Sequence, residues 1–400
     1  MTQASQLHHK SPLINEVVYK EVAPMTTTLR GIAWNHTRGY LPMVASAQRF
    51  QELHPDVEIV WEKRSLQAFA DQPIQVLAQT FDLLVIDHPF VGYAAHNPVL
   101  VPLDQHLDPA YLADQATHSV GASYPSYWYN DHLWALPIDA ATPVSAWRAD
   151  LLATPPHSWQ ELLTLARQGK VAVPAIPIDS LMNMYMLCIA LGEEPFQSPE
   201  LMVSETIGAQ ALIHLRELVT ACDPICLTRN PIATYEALAR GEAAYCPFAY
   251  GYSNYARPTY AAATLTFGNL VHWDDGRQLC STLGGTGLAI SQHCTHIDIA
   301  VEYARMVADP ICQANLYFTS GGQPGHRGAW ESVAVNQQCN DFFVNTLHTL
   351  DNAYLRPRYN GYLHFQDEAG PIVHAYLRNG GDVAPYVQQI NALYRTSRQA

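Results

Sequence analysis

Basic residues are scarce in this chain. There are 22 Lys and Arg against 36 Asp and Glu, a formal net charge of −14, and no basic run exceeds two residues. Nucleic acids and anionic membrane surfaces are held through clustered Lys and Arg, so neither is expected as a partner. Long apolar runs are missing as well. The longest candidate, Leu181–Leu191, is too short to span a bilayer and carries Asn183, so no membrane insertion is expected. Residues 1–24 hold no apolar stretch of the kind a secretory signal requires, and Met25 offers a second start. As given, the chain reads as cytoplasmic; with a wrong or truncated start it reads as periplasmic or extracellular. Cysteine pairing motifs are lacking too. The 8 cysteines are scattered without a CxxC spacing, although Cys222 and Cys226 could be close. They read as small buried hydrophobes in preference to a zinc site at His293, Cys294 and His296. GxSxG, HExxH and GxxxxGK[ST] do not occur. No metal and no cofactor are expected.

What is present is core-forming material. Of 400 residues, 48% are hydrophobic and only 14% charged, a composition for well-buried domains, two by length. From Met25 the pattern alternates. Leu29–Trp34 reads as a strand, and Met43, Ala47, Phe50 and Leu53 recur at helical spacing. Val57, Ile59 and Trp61 alternate as a strand, and Phe81–Ile86 is a continuous apolar run, as in a strand buried on both faces. This β-α-β-α-β order predicts an α/β fold with a parallel sheet and right-handed crossovers. Further helices are read at Trp159–Arg167, Leu181–Leu191, Thr206–Val219, Thr234–Arg240, Ile297–Val307, Cys312–Phe318, Asp341–Ala353 and Val383–Tyr394.

Open parallel sheets bind ligands at the carboxyl ends of their strands. That rule selects Trp34, His36 and Arg38 after the first strand and Asp87 and His88 after the third. Asp139 lies in the extended WALPID segment. The cluster YCPFAYGYSNYARP supplies Tyr250, Tyr252 and Asn254. Glycine-rich GGTG supplies Gly285 and Thr286, and GGQPGH supplies Gln323. Aromatic faces stack on the apolar faces of sugars, while amides, carboxylates and Arg fix hydroxyl or acid groups. GGTG serves better as a domain-crossing hinge than as a phosphate cradle, since no Lys is near and glycine absorbs backbone rotation. Asp87 and His88 invite an acid–base reading, but adjacent residues on an extended chain point in opposite directions.

Several segments in this order resemble the extracellular solute-binding proteins of ABC importers, in the branch that usually carries carbohydrates. They are Arg49–Ile59 (RFQELHPDVEI), Asp82–Ile86 (DLLVI), Val101–Asp104 (VPLD) and Ala135–Pro137 (ALP). The resemblance covers most of the chain beyond Met25. It implies a two-lobed, periplasmic-binding-protein-like (type II) fold with crossing hinge strands, a ligand in the interlobe cleft, and closure on binding. On that basis residues 1–25 are expected to form an N-terminal extension, 26–137 with 284–340 a first lobe, and 138–283 with 341–400 a second. The expected function is capture of a small polar ligand, a sugar or a sugar acid or carboxylate, by a monomer serving the membrane subunits of an ABC importer. His36 and Arg38 point toward an anionic ligand. The alternative is a cytoplasmic enzyme on the same fold, with His36, Asp87 or His88 as acid or base.

Overall fold

The computed structural model describes residues 27–273 and 275–399; the expected N-terminal extension, residues 1–25, lies outside the described residues. Strand β1 (Thr27–Trp34) pairs in parallel with β2 (Val57–Arg64) along its whole length and with β3 (Leu83–Ile86). The inferred periodicities hold: Val57, Ile59 and Trp61 face inward on β2, and all of β3 is buried. The helix Thr37–Leu53 between them buries Met43, Ala47 and Phe50. Leu53, expected on the same face, is 53% exposed.

After the hairpin of β4 (Trp128–Tyr129) and β5 (His132–Leu133) comes β6 (Leu136–Ala141), and the chain then enters β7 (Pro143–Trp147). Strands β7, β8 (Tyr245–Tyr250) and β9 (Thr266–Gly268) form a second sheet in the order β8-β7-β9. Strand β10 (Gly284–Ile290) returns to the first sheet, whose order is β2-β1-β3-β10-β6. It runs antiparallel to both β3 and β6, so this sheet is mixed where the sequence pattern suggested a parallel one. β10 arrives from the second lobe and needs no crossover helix, so it can enter in the reverse direction.

The hydrophobic residues segregate into two cores, which makes the molecule two-lobed. One packs on the five-stranded sheet and includes Leu29, Phe50, Trp61, Leu84, Ile138, Leu288 and Tyr303. The other is built largely of helices and includes Trp159, Leu181, Met184, Leu215, Tyr235, Phe267, Phe365 and Ile390. The change of sheet falls at Thr142, between β6 and β7, rather than at the 137/138 boundary, because β6 stays hydrogen-bonded to β10 as far as Ala141. Phe318, Trp330, Val335 and Cys339 pack into the helical core although they precede residue 340. The chain therefore leaves the first lobe between Tyr317, which packs on the five-stranded sheet, and Trp330; Gly325 still donates its N–H to the Ile138 carbonyl of β6.

A helix not read from the sequence, Tyr362–Asn379, crosses this second core beside the helix Pro177–Ala190. It carries Gly370 and Pro371 in its interior. Gly370 permits the close crossing: a Cβ there would lie 3.0 Å from the Pro177 carbonyl group, a tight approach. Among the described residues no helix is long and apolar enough to cross a membrane. Six cysteines are buried and two are half-buried, and none forms a disulfide.

Candidate functional site

Where the lobes meet there is a cavity of about 210 Å³. Trp34, Arg38, Phe69, Asp87, Phe90 and Thr286 line it from the side of the five-stranded sheet. Ile176, Ile178, Asp179, Asn230, Tyr250, Tyr252, Arg356 and Gln366 line it from the other side. Trp34 arrives because it ends β1, the carboxyl edge of a parallel strand. Its indole is clamped by the first turn of the next helix, where a Cβ on Gly39 would lie 2.3 Å from the ring.

Arg38 sits in that same turn. Its Nε donates to Asp139 Oδ2 at 2.8 Å, Nη2 donates to Asp139 Oδ1, and Nη1 donates to the Gly251 carbonyl at 2.8 Å. The guanidinium also lies 4.7 Å from the Tyr252 ring centroid, so one side chain touches both lobes. Burial works against both charges: Asp139 outweighs it for Arg38 and holds that group above its ordinary value, whereas for Asp139 burial outweighs Arg38 and raises the carboxyl. Opposite, Arg356 donates from Nη2 to both carboxylate oxygens of Asp87 at 2.7 Å, and from Nη1 to Gln366 at 3.0 Å. Burial raises the Asp87 carboxyl, but Arg356 and then His88 overcome that and hold it well below the usual carboxylate range.

Seven of the expected residues therefore share the cavity wall: Trp34, Arg38, Asp87, Tyr250, Tyr252, Gly285 and Thr286. The others do not line it. Asp139 lies behind Arg38 as its counter-ion. His36 caps the helix, accepting at Nδ1 from the Arg38 N–H at 3.0 Å, and packs edge-on against Tyr252. His88 is buried, with Nδ1 3.2 Å from Asp87. Asn254 donates to the Gly321 carbonyl at 3.0 Å. Gln323 donates to the Ala140 carbonyl at 2.7 Å and accepts from the Ser253 N–H at 2.9 Å, so it ties the crossing segments together.

The enzyme alternative is not supported. Burial, with the Arg38 charge second, lowers His36 to about 4; burial, then Arg356, lowers His88 to about 4. Asp87 is ion-paired and too weakly basic to abstract a proton. The anionic-ligand expectation also loses its carrier, because both guanidiniums on the wall are already neutralised by carboxylates from the protein itself.

Sequence reading did not single out Asp179, Arg356, Phe69, Asn230 or Gln366. For Asp179 a signal existed: Pro177 at the first helical position with an acid two residues on marks a helix start, so the helix begins at Pro177 and not Leu181. For Gln366 there was none, since Gly370-Pro371 conceals its helix, and Arg356 lies in the irregular segment just before that helix. Asp179 is 5% exposed, and burial alone raises its carboxyl to about 8. Three polar atoms on the cavity wall have no hydrogen-bond partner among the described residues: Trp34 Nε1, Asp179 Oδ2 and Thr286 Oγ1.

Away from the cleft, Asp114, His118 and His326 bring ligand-type atoms within 4.8 Å of one another. His326 Nδ1, however, accepts from the Gly328 N–H at 3.1 Å. In the neutral ring Nε2 then carries the proton, and neither ring nitrogen has a free lone pair for a metal.

Comparison with known proteins agrees with this architecture. The family described as bacterial extracellular solute-binding protein matches residues 45–338. A maltotriose-binding protein of Pyrococcus abyssi (strain GE5 / Orsay) is 28% identical over 116 residues. That match spans 29% of this chain and 25% of the relative, so only a quarter of the relative's length is matched. Among solved structures, maltose-bound MalE3 of T. maritima superposes with a TM-score of 0.81 at 17% identity, covering 93% of this chain and 100% of that one. A solute-binding protein of Agrobacterium radiobacter K84 in complex with ribitol gives 0.79 at 16% identity, covering 94% and 99%. At these identities the structural likeness establishes the fold. The family description is of extracellular proteins, which favours the periplasmic or extracellular placement over the cytoplasmic one.

Proposed function

This chain belongs to the bacterial extracellular solute-binding protein family, and from that premise we propose that it captures a small polyhydroxyl solute between its lobes and delivers it to the membrane subunits of an ABC importer. The observation that carries this reading is the set of unpartnered polar atoms on the cavity wall, Trp34 Nε1 and Thr286 Oγ1 on one side and Asp179 Oδ2 on the other. Buried polar groups in folded proteins are nearly always paired, so a donor, a hydroxyl and a carboxylate left open around one cavity fit a ligand rich in hydroxyls. The aromatic rings of Trp34, Phe69, Tyr250 and Tyr252 on the same wall fit the apolar ring faces of a sugar. The maltotriose, maltose and ribitol named for the relatives belong to this chemical class.

Closure would turn where the chain passes between the lobes, and two of its three crossings lie side by side. One is Thr142, whose hydroxyl lies 2.6 Å from that of Ser281. The other is Leu283–Gly285. Titration calorimetry with maltose, maltotriose and ribitol, together with mass spectrometry of solutes released from the denatured native protein, tests the reading. Stoichiometric binding without product formation is expected. Turnover, or no polyhydroxyl compound bound or released, would overturn it.

A further inference from the structure

The charged groups of the cavity do not balance in the same way. Arg38 closes on Asp139 and Arg356 on Asp87, each through two hydrogen bonds. Asp179, which lines the same cavity, forms no ion pair among the described residues. It is 5% exposed, its Oδ2 has no hydrogen-bond partner among those residues, and burial raises its carboxyl. An isolated buried carboxylate is among the costliest groups a fold can hold, and this fold supplies counter-ions to the other acid beside the same cavity.

We propose that Asp179 anchors a protonated amine, so that the captured solute is an amino-bearing polyhydroxyl compound, an aminosugar or amino-polyol; this rests on the solute-capture reading above. The ammonium completes a third ion pair where the protein leaves one open. The rings of Trp34 and Tyr250 line the same cavity, and aromatic faces attract a cation further. A solute carboxylate would instead meet Asp179 as a like charge, with both guanidiniums already committed.

The choice has a proton signature. Burial raises Asp179 to about 8, so at neutral pH the free protein holds a proton there. An arriving ammonium favours the ionised form and expels it. A neutral polyol meets the protonated carboxyl and expels nothing. The titratable groups around Asp179 do not blur this. Tyr250, Tyr252 and Cys246 are all raised, chiefly by burial, and stay protonated at pH 7. His36 and His88 are held neutral, and Asp87 stays ionised against Arg356.

The test uses matched probes on the whole protein: glucosamine with glucose, galactosamine with galactose, and glucamine with sorbitol. The amine of at least one pair is expected to bind about tenfold tighter or more. Calorimetry at neutral pH in two buffers of different ionisation enthalpy should show release of about one proton for the amine and none for its neutral partner. Asp179→Asn should lose both the preference and the proton release while unfolding no earlier than wild type. Neutral partners binding as well as the amines, amine binding without proton release, or an Asp179→Asn protein that keeps the preference would each overturn the proposal while leaving solute capture standing. No binding in either series would overturn it and count against the polyhydroxyl class as well.

Discussion

Arg38 Nε donates to Asp139 Oδ2 at 2.8 Å, and both side chains are at most 5% exposed. The pair joins the first turn of the helix after β1 to the crossing strand β6, and the same guanidinium reaches the Gly251 carbonyl in the second lobe. It acts as a strut between the lobes before any solute is considered.

Removing one half of this pair leaves the other half buried without a partner. Arg38→Ala and Asp139→Asn are each expected to destabilise the protein by about 3–5 kcal/mol, whereas a double replacement by apolar residues of similar volume should cost less than either. Urea unfolding of the three variants checks this. A wild-type midpoint in Arg38→Ala would show that the strut carries no weight.

The Asp87–Arg356 pair gives a pH dependence of defined sign. The folded-state carboxyl lies below its ordinary value of 3.8, with Arg356 and His88 outweighing burial. Its contribution is therefore present in full above the unfolded value and declines as pH falls below about 4. The stability gap between wild type and Asp87→Asn should be constant from about pH 8 to about pH 5 and narrow on further acidification. Thermal melts across that range check it; a gap that widens in acid would contradict the ion-pair assignment.

Gly285, at the second crossing, has φ of +105°, and a Cβ there would lie 2.3 Å from the Asp139 carbonyl oxygen. Gly285→Ala combines backbone strain with a backbone clash and is expected to cost at least about 1–3 kcal/mol. Gly276 has φ of +85°, and a Cβ there would meet no atom of the described residues within 4 Å. Gly276→Ala carries the strain alone and should cost about 1 kcal/mol. Equal effects in chemical denaturation would mean that the close approach at the crossing does not matter.

Trp34 Nε1 has no hydrogen-bond partner among the described residues although the ring is buried. Trp34→Phe keeps an aromatic face and removes the donor. Solute affinity should fall about 3–10-fold, the value of one hydrogen bond, with little change in melting temperature. Calorimetry and melts on the same sample check this. A lowered melting temperature with affinity intact would make Trp34 a core residue only.

The sequence by itself determined the layers of this protein. Alternation on β2, the unbroken apolar run of β3 and the helical spacing of Met43, Ala47 and Phe50 are local signals, because side-chain direction follows from backbone period alone. The rule for the carboxyl ends of parallel strands then placed Trp34, Arg38 and Asp87 at the cleft. Three things were left to the tertiary structure. The Gly370-Pro371 pair conceals a helix whose formation depends on its crossing with Pro177–Ala190, so the positions of Gln366 and, just before that helix, Arg356 were not legible. The neutralisation of Arg38 by Asp139 and of Asp87 by Arg356 joins residues 101 and 269 positions apart, and no local pattern encodes such a pairing. The isolation of Asp179 is a property of everything packed around it: a single acid in a sequence reads as a solvated charge, and only folding decides whether water or a cation remains within its reach.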